Sequence, residues 1–540
     1  MAATLPPALP QHPKPRPSLL TLPQKRGLTN NHSPAIPSPL RDDGVPSKAK
    51  REKKESQKKR ESKGISNAYA PIREEIQSAG QGEDSPPRYL FQTPIPSDYQ
   101  NPRNPNLSDT RLQRNSLSND RVHYFELNGM VHNKPRFRYI PCILDPAFTH
   151  IHQARQTEAE PYCARLSFED SAAHVMFGPT ATQATTSKGF RMVRANVGVR
   201  EGRWFWECKI KRGVGSPDSS RMGSADLSSS QKPEPHVRIG WARREASLEA
   251  PVGFDSYSYG IRDVSGQRVH KSRPTDFFPK GQDIREGDVI GVEINLPTLQ
   301  LHRKVVGDDF HPHADVPGSE LPRGPGLENV IRDRATVRAK NQQYFEQAEY
   351  GPTKELEDYF SPSLAASSHQ IQSTDKIGPA PLRTLPDSWI QIYKNGKLMG
   401  KMFENLLAFL PPASVIQTSQ GVKHNYDDGF LGYFPAVSMY TGGIVETNFG
   451  PDFVHPPSGL KAENQEATSG DMPPVRALYE RYNEQIAEDI LYDLIDEVDF
   501  WEKDKANPAL LGASRVVTPD AGAADVAPAL ETPTPQPVPP

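Results

Sequence analysis

The sequence predicts a mainly β protein: an antiparallel β-sandwich with a long insertion, a C-terminal amphipathic helix and disordered tails at both ends. Short apolar segments, alternating or rich in β-branched and aromatic residues, recur between Gly, Asn and Pro turn signals. Clear helical periodicity is confined to a segment near the C-terminus. Proline supplies 55 of the 540 residues, about twice its usual share, and hydrophobic residues only 35%. A large part of the chain is therefore expected to stay unfolded.

Residues 1–118 are predicted to be disordered. They are rich in Pro, Ser, Asn and charge, and cannot bury enough apolar surface to offset the entropy of ordering. Within them, residues 48–63 hold nine basic and three acidic residues, a net charge of +6. Such a basic run indicates nuclear import, contact with DNA or nucleosomes, or only a solvated coil, and the first two roles can coexist. The basic residues are Lys48, Lys50, Arg51, Lys53, Lys54, Lys58, Lys59, Arg60 and Lys63.

Residues 119–457 are predicted to form the sandwich. Many short strands with few helices are typical of that architecture. The pair Asn395-Gly396 predicts a hairpin turn. The candidate strands cover 203–210, 237–241, 288–295, 389–393 and 436–440.

Two stretches interrupt the predicted strands. Residues 213–235 are rich in serine and are interpreted as an expanded loop. Residues 304–386 are interpreted as an insertion between two adjacent strands, because a structureless loop of that length is unusual inside a compact domain. A helix is expected around 338–360, interrupted where glycine and proline follow each other at 351–352.

A polar linker over 458–474 precedes a helix predicted over 475–503, and a proline-rich tail over 504–540 is expected to be disordered. Apolar residues recur every four positions along one side of the predicted helix, and acidic residues occupy the other. This pattern predicts a strongly amphipathic helix. Its apolar stripe consists of Ile486, Ile490, Leu491, Leu494, Ile495 and Val498.

Composition and motifs argue against several classes of function. The net charge of −2 means that affinity for nucleic acid must come from a local patch. The cysteines, Cys142, Cys163 and Cys208, lie too far apart for a Cys/His zinc pattern and are too few for a disulfide scaffold. The sequence has neither a secretory signal nor an apolar run of about 18 residues, so no membrane association is expected. Nucleotide-binding and hydrolase motifs are absent, so we expect no cofactor, metal or small-molecule substrate.

Several ordered segments resemble a SPRY domain. The segment KGFRMVRANVGVREGRWFWECKI at 188–210 resembles its first part, and 237–262 resembles the next, with an R-x-G-W strand and a P-x-G-aromatic-D-x-x-S-Y loop. GDVIGVEIN, YKNGK, FPAVSMY and NFGPDF match the later strands. The resemblance implies a SPRY (B30.2-like) sandwich.

The resemblance narrows to one SPRY branch, the Trithorax-group family "absent, small or homeotic discs two", whose budding-yeast member is called Bre-two. The features that carry it are M-V-R-A-x-x-G-V-R-x-G, the insertion before Y-K-N-G, and a helix of the type I-x-x-D-x-L-Y-x-x-x-x-E-V-D. Members are non-catalytic subunits of COMPASS, which methylates lysine 4 of histone H3. The resemblance implies a nuclear scaffold that stabilises the active form of a SET-domain methyltransferase. The zinc-finger and winged-helix module of animal members is not expected here.

The resemblance further implies a surface that grips an acidic, often phosphorylatable, segment of a WD-repeat subunit. Arginine presents a planar fork of donors suited to carboxylate or phosphate oxygens, and aromatic rings and proline supply rigid apolar contact. An internal salt bridge for Arg238, or core packing for Phe190 and Phe254, is the structural alternative. The matching residues, called here the arginine surface, are Phe190, Arg238, Pro251, Phe254 and Arg262.

The predicted helix matches the family's docking segment for a dumpy-thirty-type subunit, a small helical dimer with an apolar groove. The apolar stripe suits helix-in-groove recognition, although it could instead pack on this protein's own sandwich. Two other hypotheses stay open. One is a SPRY substrate-recognition adaptor of a ubiquitin ligase, which would need a ligase-recruiting box that we do not find in the sequence. The other is an enzyme with a site in the insertion at 304–386.

Overall fold

The computed structural model describes residues 95–506 with gaps, chiefly 115–120, 146–153, 216–233, 316–329, 361–381 and 461–473. All described residues belong to one of two units, Ala70–Pro540, and the other unit, Met1–Tyr69, lies outside them. The basic run at 48–63, most of the serine-rich loop and the tail from 507 also lie outside the described residues.

Strands dominate the described residues, and three α-helices and two 3₁₀ helices (Pro96–Tyr99 and Val264–Gly266) accompany them. The α-helices are α1 Leu299–Val306, α2 Lys354–Phe360 and α3 Glu480–Ala506. In chain order the strands are β1 Asn106–Arg114, β2 Arg121–Asn128, β3 Phe137–Leu144, β4 Ala154–Gln156, β5 Leu166–Ser171, β6 Met176–Phe177, β7 Gln183–Thr185, β8 Arg191–Ala195, β9 Gly202–Arg212, β10 His236–Ala242, β11 Ser258–Arg262, β12 Arg268–His270, β13 Arg273–Thr275, β14 Val289–Leu296, β15 Ala335–Ala339, β16 Gln342–Ala348, β17 Tyr350–Gly351, β18 Trp389–Lys394, β19 Lys397–Glu404, β20 Val415–Gln417, β21 Lys423–His424, β22 Phe434–Tyr440, β23 Ile444–Asn448 and β24 Arg476–Ala477.

Two large sheets form the sandwich. The first runs in the order β1-β2-β6-β7-β23-β9-β14-β18-β19, and β24 adds to β9 in parallel. The second runs β13-β12-β11-β10-β22-β8-β5. Smaller sheets, β15-β16-β3-β4 and β17-β20-β21, accompany them. Apart from β24, the paired strands of the described residues are antiparallel, which confirms the predicted mainly β class.

The core lies between the two large sheets. Trp206 of β9 meets Trp241 of β10 edge to face, with ring centroids 6.2 Å apart, and both side chains are fully buried. Close approach of β10 to β11 requires a glycine at 240, where an added Cβ would lie 1.9 Å from the carbonyl oxygen of Tyr259. The sandwich is therefore held together by large aromatic side chains and by a close backbone contact at Gly240, where no side chain would fit.

The five strands predicted from sequence correspond to β9, β10, β14, β18 and β22, with ends shifted by at most two residues. The predicted hairpin turn joins β18 to β19. Asn395 and Gly396 have φ of 51° and 79°, the left-handed values that a two-residue turn of this kind demands. Local alternation and turn chemistry were sufficient to locate these elements.

The helix expected around 338–360 is wrong over most of that range. Residues 335–339 and 342–348 form the antiparallel pair of β15 and β16, and among the described residues of the range only Lys354–Phe360 is helical. Tyr344 and Phe345 of β16 are buried against β3, slightly more than two hundred residues earlier in the chain, and this pairing overrides the local helical tendency. The insertion at 304–386 thus supplies two strands of the sheet β15-β16-β3-β4.

Two predicted boundaries also need correction. Ordered structure begins before residue 118, because β1 pairs with β2 and so joins the larger sheet. The C-terminal helix begins at Glu480 rather than 475, because β24 keeps residues 476–477 extended along β9 and the Leu478 amide donates to the Phe205 carbonyl at 3.1 Å.

We expect Gly240→Ala to lower the free energy of unfolding by roughly 1–3 kcal/mol, because the new methyl group would press on the β11 backbone. Gly189→Ala is the matched control, since an added Cβ there meets nothing within 4 Å. Urea unfolding followed by tryptophan fluorescence measures both. Equal stabilities for the two variants would contradict the close approach of β10 and β11.

Candidate partner-binding surfaces

The arginine surface is built on neighbouring strands of the second sheet. Arg238 of β10 and Arg262 of β11 are directly opposite in the antiparallel register. Phe190 precedes β8, and its ring lies beneath the Arg238 guanidinium, with Cζ 5.1 Å from the centroid. Tyr440 supports that ring at a centroid distance of 5.0 Å. The register of the sheet therefore groups two cations and an aromatic ring.

Neither guanidinium forms an ion pair with a carboxylate of the described residues. Arg238 Nη1 donates to the Val252 carbonyl at 3.3 Å, and Arg262 donates to the Gln267 side chain. Burial, followed by the nearby positive charge of Arg262, lowers the pKa of Arg238 to about 10. Two unneutralised guanidinium groups side by side would be stabilised by an anion with planar oxygen pairs.

Pro251 and Phe254 lie in the loop before β11, which the Arg238–Val252 hydrogen bond ties to the same surface. Gly253 has a φ of 83°, and an added Cβ would lie 2.4 Å from the Val269 carbonyl oxygen, so the loop can turn here only with glycine. Phe254 is 44% exposed, which argues against the alternative of core packing.

Sequence reasoning missed two aromatic residues of this region. Tyr440 supports Phe190, and Phe360 at the end of α2 has its ring centroid 6.4 Å from that of Phe254. Neither residue lies near the arginine surface in sequence, and only tertiary structure brings them there. The structure brings Phe190, Arg238 and Arg262 together and joins the loop of Pro251 and Phe254 to Arg238 through the Val252 carbonyl, and the binding role of these residues stays a prediction.

Helix α3 packs a side that carries polar residues and two buried tyrosines, Tyr482 and Tyr492, on the sandwich. Buried Arg481 donates from Nε to the Gly198 carbonyl at 3.0 Å and forms two hydrogen bonds to Glu488 at 2.8 and 2.6 Å. Gln485 donates to the Asn196 carbonyl at 3.0 Å and accepts from the Gly198 amide at 3.3 Å. These contacts satisfy buried polar groups of the body with the polar side of the helix.

The apolar stripe therefore points away from the sandwich. Ile495 lies at its border and is half-buried. The five exposed members do not pack on this protein's own sandwich, which was the structural alternative considered above. A contiguous exposed apolar row of this kind is typical of an interaction site. The exposed members are Ile486 at 41%, Ile490 at 54%, Leu491 at 42%, Leu494 at 48% and Val498 at 54%.

Within the part of the chain that the structure describes, no group of three or more His, Cys, Asp or Glu side chains could hold a metal ion. A separate finding concerns the helices: none of those described is both long enough and apolar enough to cross a membrane.

Relatives with known names cover most of the chain. COMPASS component cclA of Colletotrichum higginsianum is 44% identical over 529 residues, covering 90% of this chain and 90% of that relative. Set1 complex component ash2 of Schizosaccharomyces pombe is 38% identical over 70% of this chain and 48% of its own length. COMPASS component BRE2 of Saccharomyces cerevisiae is 26% identical over 74% of this chain and 93% of its own.

A solved human SPRY domain matches 52% of this chain and 98% of its own, at 13% identity. Its TM-score of 0.22 is too low to bear on the fold. No protein-family model matches the chain.

The two faces of α3 should differ sharply in their contribution to stability. We expect Tyr492→Ala, on the buried face, to lower the free energy of unfolding by about 3 kcal/mol, because it leaves a cavity beside Gly429. Ile490→Ala, on the exposed face, should change it by about 0.5 kcal/mol or less. Urea unfolding followed by circular dichroism measures both, and the reverse order would show that the helix is rotated about its axis.

Proposed function

The chain belongs to the family of COMPASS components, and we propose that it serves that complex as a non-catalytic scaffold and activator in the methylation of lysine 4 of histone H3. The observation that carries this proposal is the outward-facing apolar stripe of α3. The sandwich binds the polar face of the helix and leaves the apolar face uncovered, which is the arrangement that a partner with an apolar groove requires.

The partner for the stripe is a dumpy-thirty-type helical dimer. A helix fixed on a rigid body presents its apolar residues at i, i+4 spacing without having to order itself on binding, so less conformational entropy is lost. Five exposed members of the stripe from Ile486 to Val498 span more than three helical turns, a length suited to a groove between two helices.

The partner for the arginine surface is an acidic segment of a WD-repeat subunit. The unneutralised pair of Arg238 and Arg262 supplies the charge, and the ring of Phe190 supplies apolar contact beside it. A carboxylate or phosphate group there would stabilise both guanidinium groups.

Activation would follow from ordering. A chain that holds the helical dimer and the WD-repeat subunit together restricts the motion of the SET-domain methyltransferase, and binds its active conformer better than its inactive one. The population then shifts toward the active form without a catalytic residue from this chain.

Because the proposed substrate, histone H3, lies in chromatin, we propose that the protein acts in the nucleus. The basic run at 48–63, outside the described residues, is proposed to serve nuclear import, DNA or nucleosome contact, or both, because its charge suits either partner. Membership of the COMPASS-component family favours this function over the ubiquitin-ligase adaptor.

We expect Ile490→Glu with Leu494→Glu to remove the helical dimer from the complex while the SET-domain and WD-repeat subunits remain, because two carboxylates would enter an apolar groove. Affinity purification of the tagged full chain, with partners identified by mass spectrometry, measures this. Leu398→Glu with Val454→Glu is the matched control, since both residues are exposed and apolar but lie outside α3.

Recovery of the dimer with the helix variant would contradict docking through the stripe. A purification from the unaltered chain that yields no SET-domain or WD-repeat protein would contradict the proposed function as a whole.

We expect Arg238→Ala with Arg262→Ala to weaken binding of the WD-repeat subunit by at least about tenfold, because truncation of a central arginine contact costs about 2 kcal/mol or more. Methylation by the reconstituted complex should fall with it. The affinity of the unaltered protein should decrease as salt rises, since the contact is ionic. Arg285→Ala is the control, because its side chain is 67% exposed and lies outside the arginine surface. Unchanged binding and methylation would contradict the assignment of this surface.

A further inference from the structure

We propose that the insertion positions α3 for its partner, with Arg332 as the positioning residue. The inference rests on the proposed docking of a helical dimer to the apolar stripe. The insertion therefore does more than extend the small sheet β15-β16-β3-β4, because one of its side chains reaches α3 and fixes how the helix is turned.

Arg332 contacts three residues of the helix's inner face, Asp489, Tyr492 and Asp493. Its Nη2 donates to Asp489 Oδ1 at 2.7 Å and its Nη1 to Asp493 Oδ1 at 3.3 Å. Its guanidinium also lies over the ring of Tyr492, with Cζ 4.4 Å from the centroid. The Arg332 side chain is only 1% exposed, so these charge-assisted bonds are shielded from water.

The arrangement fixes the rotation of the helix about its own axis. Asp489 and Asp493 are one turn apart and share a face, and at about 100° per residue that face lies about 130° around the helix from the centre of the apolar stripe. If Arg332 holds both carboxylates against the body, Ile490 and Leu494 must point outward. A rolled helix would lose both ion pairs and leave a cation buried without a partner, which is costly.

The contact of Arg332 with α3 is supported by both the insertion and the loop before β22. Val330, two residues before Arg332, forms a β-bridge with Asp427, and Asp427 is ion-paired with Arg200 of the body. Gly429 in the same loop has a φ of 82°, and an added Cβ would lie 3.2 Å from the Tyr492 ring. Arg332 is therefore held next to a loop that packs against Tyr492 and is joined through Asp427 to Arg200, so that it transmits the position of the body to α3.

Arg332 acts on the turns that carry the stripe, where buried Tyr492 beside Gly429 and an ion pair of Asp493 with Arg155 at 3.9 Å are further contacts with the body. Arg481 and Gln485 secure the first two turns, whereas Ile490 and Leu494 lie further along. The turns that carry the stripe would roll or fray more readily without Arg332, because the two ion pairs that set the rotation of the helix there would be lost. A partner that binds only the correctly turned helix loses affinity in proportion to the fraction of molecules that present it.

The test uses the full chain and the purified dumpy-thirty-type dimer as the probe. We expect Arg332→Ala to weaken dimer binding about tenfold if the correctly placed helix falls to about a tenth of the molecules. Hydrogen exchange at the amides of 486–495 in the free chain should become faster. Asp489→Asn with Asp493→Asn, which leaves Arg332 in place, should act in the same direction and keeps the test available if Arg332→Ala folds poorly.

The matched control is Arg383→Ala. Arg383 also lies in the insertion and also pairs with two carboxylates, Glu355 at 2.9 Å and Asp308 at 3.1 Å, but neither belongs to α3. Its loss should leave dimer binding and helix exchange unchanged. Arg332→Glu combined with Asp489→Arg should recover binding relative to Arg332→Glu alone, a rescue that general destabilisation of the insertion would not give.

The outcomes separate the two levels of the proposal. If the unaltered chain does not bind the dimer, the proposed function fails, and with it the partner for which the helix is positioned. If the unaltered chain binds and the Arg332 variants bind equally well with unchanged exchange, only the positioning role is overturned. Equal losses for the Arg332 and Arg383 variants would likewise overturn it, because the effect would then belong to the insertion as a whole.

Discussion

The structure depends on the burial of both faces of β9. On its inner face Trp206 packs edge to face with Trp241 and joins the two sheets. On its outer face Phe205 is covered by Phe453 and Tyr393, with centroids 4.9 and 5.8 Å away. A strand with two buried faces must have cover on both sides, and the C-terminal segment provides the outer cover before it enters α3 through β24.

The covering of Phe205 by the C-terminal segment determines which side of α3 is exposed. Because β24 fixes the point where the helix begins, the helix meets the sandwich at a surface of backbone carbonyls and charged side chains. Those groups need polar partners, so the polar face of the helix turns inward and the apolar face outward. The inward side thus combines polar residues with the buried rings of Tyr482 and Tyr492, while the aliphatic stripe stays exposed.

The arginine surface follows from the same kind of constraint. Antiparallel pairing of β10 with β11 places Arg238 directly opposite Arg262, and like charges in such a pair are destabilising. The ring of Phe190 and the Val252 carbonyl offset part of this cost. The remaining repulsion between the two arginines favours binding of an anionic partner. The arginine surface and the apolar stripe of α3 therefore each leave an interaction that another molecule would complete.

Alternation, turn chemistry and periodicity are local properties, so the sequence alone was enough to locate the five main strands, the Asn395-Gly396 turn and the apolar stripe. The residues of the arginine surface came instead from the resemblance to a known family. Only the tertiary structure decided the outward direction of the stripe, the start of α3 at Glu480 and the pairing of β16 with β3. The same is true of Arg332, whose carboxylates lie 157 and 161 residues further along the chain. Contacts between residues so far apart produce no periodic pattern in either segment. The surface that selects each strand or side chain exists only after folding.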